Sequence, residues 1–144
     1  MRRFLAAAVM ATSALAAPAL ADDKPALVTI LTSEEPQTQL MSMVLTMQAL
    51  KQGAETYTLL CGPGGDLALK EPPETATAPQ QPQGMSPQKL MQMIMAQGGK
   101  VEVCALYLPN KGAGAEVLLD GIGTAKPPAM AARMLADDTR LLSF

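Results

Sequence analysis

Apolar runs alternate with helical stripes along most of this chain. "ALVTIL" (26–31) is a continuous apolar, β-branched run, the pattern of a strand buried on both faces. "TSEEPQTQ" follows as a helix start, with Thr32 or Ser33 able to cap and Glu34 and Glu35 suited to the positive end. "LMSMVLTMQALKQG" continues that helix amphipathically and stops at Gly53. "ETYTLLC" (55–61) reads as a second strand, and "GPGGD" (62–66) as a turn in which Asp66 caps a short helical turn through Lys70. "PQKLMQMIMAQ" is a helix opened by Ser86-Pro87 and closed by Gly98-Gly99. "KVEVCALYL" (100–108) reads as a third strand, "GAEVLLDG" (114–121) as a short helix and "IGTA" (122–125) as a brief fourth strand. A helix from Pro127-Pro128 and a closing strand "TRLLSF" (139–144) complete the pattern.

Strands alternating with helices predict an α/β fold. The simplest version is a flavodoxin-like three-layer sandwich, with a mostly parallel five-stranded sheet in the order 2-1-3-4-5. Two segments stand outside it. Residues 71–87, "EPPETATAPQQPQGMSP", hold five prolines and almost nothing apolar, and read as a mobile surface loop or a poorly ordered insertion. Residues 1–21 read as a secretory signal peptide: Arg2 and Arg3, an Ala-rich apolar run, then Ala19-Leu20-Ala21 ahead of Asp22-Asp23. That run is too short to span a bilayer. The mature domain is then 22–144, exported to the periplasm, with no stable membrane insertion expected.

Composition narrows the chemistry. Cleavage leaves nine basic and thirteen acidic residues, a net charge of −4, with no basic patch for nucleic acid. There is no histidine, which removes Ser-His-Asp and Cys-His catalysis and the usual zinc ligand sets. There is no tryptophan, with only two tyrosines and two phenylalanines, so stacking platforms for bases or sugars are not expected. No metal site and no cofactor are implied.

In parallel sheets ligands sit beyond the carboxyl ends of the strands, where strand order reverses. With strand one between strands two and three, that rim collects Thr32, Ser33 and Glu34, then Cys61 and Gly64, then Cys104, Asn110 and Lys111. Cys104 is the candidate reactive group. A helix beginning near Ala113, with Lys111 close by, would favour its thiolate.

"VEVCALYLPNKG" (101–112) resembles the strand-cysteine-loop segment of DsrE/DsrF-like proteins, TusD-like sulfur-relay subunits among them. "ALVTILTSEE" resembles the family's first strand and turn, and "DDTRLLSF" its last strand. The resemblance runs from about Ala26 to Phe144, the proline-rich segment excepted. It implies a flavodoxin-like sheet and a homo-oligomer. It also implies, for the relay members, a persulfide on the cysteine matched by Cys104, exchanged with a sulfur donor or acceptor protein. The loop Pro109-Asn110-Lys111-Gly112 is less basic than the double-arginine loop of the relay members, and those members are cytoplasmic.

Three states of Cys104 stay open at this stage: a persulfide-forming or redox thiol, an inert core residue, and a disulfide with Cys61. In the 2-1-3 order the two cysteines stand two strands apart, roughly 10 Å. That is beyond bridging distance. Three functions follow: a sulfur carrier or thiol-redox protein, a non-catalytic binding or assembly module, and a copper(I) protein using the methionines. Nine methionines in the mature chain prompt the last reading. Met91 and Met95 share a helix face while Met93 points away, so packing explains the cluster as well.

Overall fold

The computed structural model describes residues 24–144, and the signal-peptide assignment lies outside the described residues. Five strands form one sheet: β1 (Ala26–Leu31), β2 (Glu55–Leu60), β3 (Lys100–Val103), β4 (Gly123–Thr124) and β5 (Thr139–Ser143). Every neighbouring pair is parallel. The helices are α1 (Pro36–Lys51), α2 (Glu74–Thr77), α3 (Pro87–Ala96), α4 (Tyr107–Lys111) and α5 (Pro127–Met134).

The α/β class holds, and the strand order is β4-β3-β2-β1-β5. The expected order 2-1-3-4-5 is corrected at one point: β2, not β1, neighbours β3. The chain steps outward from β1 through β2 and β3 to β4, then returns by α5 to the far side of β1. Right-handed crossovers allow either arrangement.

Alternation along the strands separates two cores. Leu31, Leu60, Val101 and Val103 pack with Met43, Met47, Leu90, Met91 and Ile94 beneath α1 and α3. Val28, Tyr57 and Leu59 pack with Ala125 and Met130 on the α5 face. Met43 and Met91 are fully buried, so these methionines fill core volume that a flexible thioether suits.

α1 is joined to the sheet by polar as well as apolar contact. The buried hydroxyls of Thr29 and Thr46 lie 2.8 Å apart. Thr46 Oγ1 also donates to the Ser42 carbonyl, so its single proton is committed and Thr29 is the donor of the pair. The helix is capped by Glu35 rather than by Thr32 or Ser33: its carboxylate accepts from the amides of Gln37 and Thr38. Ser33 Oγ accepts from the Glu35 amide one step earlier. The bond from the Gln37 amide, then that from Thr38, holds the Glu35 carboxyl below its ordinary range.

The proline-rich segment carries α2 and a turn closed by an antiparallel bridge between Gln80 and Met85. Strand three is only four residues long, and Tyr107 to Lys111, expected as strand and loop, form α4. The expected helix over 114–121 is a single 3-10 turn at Ala115–Val117, after which Leu118 pairs antiparallel with Leu69.

Candidate functional site

β2 and β3 pair in register, with Leu60 opposite Val103. The next position on each strand is a cysteine. The Cys104 amide donates to the Leu60 carbonyl at 2.8 Å, extending the ladder one step beyond β3. The Cys61 amide donates to the Leu31 carbonyl at 2.9 Å on the other side. Cys61 and Cys104 therefore stand side by side on the α5 face, and their side chains form a disulfide with a Cα–Cα separation of 5.1 Å. That separation is ordinary for a bridge between neighbouring strands. The expected separation of two strands is corrected: no strand stands between the two cysteines, so they are within bridging distance.

The bridge is half-buried and forms one wall of an open cleft of about 610 Å³ at the carboxyl ends of β2 and β3. Asp66, Leu106, Tyr107, Asn110 and Lys111 complete most of its lining. After Cys61 the chain turns into a 3-10 helix over Gly62–Ala68. Gly62 has φ +50°, a left-handed conformation that favours glycine. Gly65 lies flat against the Tyr107 ring, where any β-carbon would collide with it. That close approach sets the position of the neighbouring Asp66. After Cys104 the backbone turns at once, with the Tyr107 amide donating to the Cys104 carbonyl at 3.0 Å.

The two segments are tied at one carboxylate oxygen. Tyr107 Oη donates to Asp66 Oδ1 at 2.6 Å, and Lys111 Nζ donates to the same oxygen at 2.7 Å. The Lys111 ammonium also stands 5.6 Å from the Tyr107 ring centroid. Burial pushes the Tyr107 phenol well above its ordinary pKa, and the bond to Asp66 and its negative charge add to the shift. The result is a charged carboxylate, an ammonium and a neutral phenol held together in the same cleft as the bridge.

The residues expected from the sequence divide into two groups. Cys61, Cys104, Asn110 and Lys111 meet in the cleft. Thr32, Ser33, Glu34 and Gly64 do not line it. Thr32 is engaged with the C-terminus, its amide and hydroxyl both donating to the Phe144 carbonyl at 2.8 Å. Gly64 donates its amide to the Thr32 carbonyl and packs against Leu31, under the rim. Ser33 and Glu34 belong to the entry of α1. Only the single 3-10 turn at Ala115–Val117 begins near Ala113, too short to carry the helix dipole expected to act on Cys104. Asp66 and Tyr107 were not among the expected site residues. The signal for them is weak: an acid five positions after Cys61 and an aromatic three after Cys104.

Solved structures share this fold. The chain is similar to the ychN protein from E. coli, at 18% identity and a TM-score of 0.59. It is equally similar in shape to MTH1491 from Methanobacterium thermoautotrophicum, a protein described as being of unknown function, at 10% identity and a TM-score of 0.59. Each match covers 83% of this chain and 99% of the other. No protein-family model matches the chain, and no curated protein matches it in sequence. At these identities the likeness concerns the fold, and there it agrees with the DsrE/DsrF-like resemblance.

Proposed function

We propose that this chain is a thiol-redox protein of the DsrE/DsrF-like type, working in the periplasm through a reversible Cys61–Cys104 pair. The observation that carries the reading is the placement of both cysteines on the wall of one open cleft, on neighbouring strands. A bridge that served only to staple the two strands would not need that opening.

The chemistry balances without a cofactor. In the reduced state the Cys104 thiolate attacks a disulfide of a partner, forming a mixed disulfide and releasing one partner thiolate. Cys61 then attacks the Cys104 sulfur, closes the internal bridge and releases the second partner thiolate. The pair gives up two electrons, the partner disulfide takes them, and the reverse sequence oxidises a partner dithiol. The sulfur-carrier form uses the same groups. The Cys104 thiolate attacks the outer sulfur of a donor persulfide, breaking the donor S–S bond and releasing the donor thiolate, and attack by Cys61 at the Cys104 sulfur then expels hydrosulfide and closes the bridge. Lys111 is the cation of the cleft available to favour a Cys104 thiolate, an effect that its pairing with Asp66 limits.

Cys61→Ser separates these roles, because it removes the resolving thiol and leaves Cys104 free. Intact mass spectrometry of the variant from the periplasm should show Cys104 carrying a reducible adduct. A gain of about 32 Da, lost on reduction, marks a persulfide, and a larger gain marks a mixed disulfide with a captured thiol. A Cys104 that carries neither and resists alkylation in the folded variant would refute the reading.

A further inference from the structure

A second opening lies on the opposite face of the sheet, away from both cysteines. It is a groove of about 570 Å³ between α1, α3 and the Gln80–Met85 turn. Its wall is apolar, formed by Leu40, Val44 and Met47 of α1 and by Met85, Leu90 and Met93 opposite. Met93 is 39% exposed and Met41, at the rim, 50% exposed, so the apolar wall is open to an occupant. The polar lining is selective. Six of its side chains are uncharged glutamines, Lys51 is the single charged one, and no carboxylate is present. In a chain with more acidic than basic residues, that is a local reversal of sign.

The positions along α1 fix the shape of an occupant. Gln37 and Lys51 mark the two ends of the lining and are separated by about 21 Å of helix. Lys51 sits in the last turn, where its charge more than offsets the partial negative charge of the helix C-terminus, and it forms no ion pair among the described residues. Methionine walls adapt to flexible apolar guests.

We infer that this groove binds a long-chain anionic amphiphile, its acyl chain lying along α1 and α3 and its carboxylate at Lys51. The charge complementarity decides against a neutral lipid or an apolar peptide, neither of which would use the lone ammonium. The site is independent of the cysteine pair, so its failure would leave the redox reading untouched.

Calorimetric titration of the purified protein with palmitate and with hexadecanol, both below their aggregation limits, tests the inference. Palmitate should bind at one site, more tightly than hexadecanol. Lys51→Gln should weaken palmitate about fivefold, the upper range for an exposed ion pair, and leave hexadecanol unchanged. Met93→Glu, at an exposed position, should abolish both while circular dichroism stays native. Equal binding of the two probes, unaffected by Lys51→Gln, would overturn the assignment. So would failure of both probes to bind, as when light scattering shows a second copy closing the groove.

Discussion

Asp66 accepts two bonds through one oxygen, and that economy orders the cleft. Tyr107 and Lys111, four residues apart on α4, converge on Oδ1 and fasten α4 to the 3-10 turn that follows Cys61. Removing the phenol with Tyr107→Phe should lower stability at neutral pH by about 1 kcal/mol, the usual net worth of such a bond. The pH dependence gives a second readout. Tyr107 has a raised pKa in the folded chain, and an unfolded tyrosine titrates near about 10. Its contribution is therefore complete below that pH and is lost as pH rises toward the folded value. Urea unfolding of the wild type should weaken more steeply above about pH 10 than unfolding of Tyr107→Phe. Equal slopes for the two proteins would show that the phenol is not held as described. Neither Asp66 nor Tyr107 could be picked out from the sequence as a cleft residue, because what joins them is the flat approach of Gly65 to the ring, a contact between distant segments.

The elements themselves were largely readable, and the misreadings have local causes. β1, α1, β2 and α3 follow from apolar runs and helical stripes that tertiary packing reinforces. β3 was read as too long because "ALYL" continues an apolar run after Cys104. In the structure Tyr107 and Leu108 are buried from a helix instead, and Leu106 is 72% exposed at the cleft rim. Burial alone cannot separate those two conformations in a short segment. The cap of α1 was displaced by two or three residues, because Glu35 outcompetes Ser33 and Thr32 for the free amides. Docking of α1 onto β1 rests in part on the Thr29–Thr46 pair. Thr46→Val should cost about 1–3 kcal/mol by orphaning the Thr29 hydroxyl. Adding Thr29→Val should recover part of that loss, since no buried donor then lacks an acceptor. A double variant less stable than the Thr46→Val protein by denaturant melt would contradict this account.

At the scale of the molecule, one choice of neighbour determines what the cysteines can do. Alternation of strands and helices specifies the α/β class, and crossover handedness is satisfied whether β3 adds beside β1 or beside β2. Local pattern holds no signal that distinguishes them, and the difference decides whether Cys61 and Cys104 are two strands apart or adjacent. The adjacency turns a lone candidate thiol into a paired centre, and it places that centre at the carboxyl ends of β2 and β3 rather than between the first and third strands. The same sheet keeps the methionine-walled groove on its other face, so the two openings can be tested separately. The most direct test of the account is the opening of the Cys61–Cys104 bridge in the folded protein. It would be equilibrated in glutathione buffers of graded poise, alkylated and weighed intact, with circular dichroism recorded in parallel. Both thiols should appear together, as a doubly alkylated mass, over a range in which the fold stays native. A bridge that opens only as the chain unfolds would contradict it.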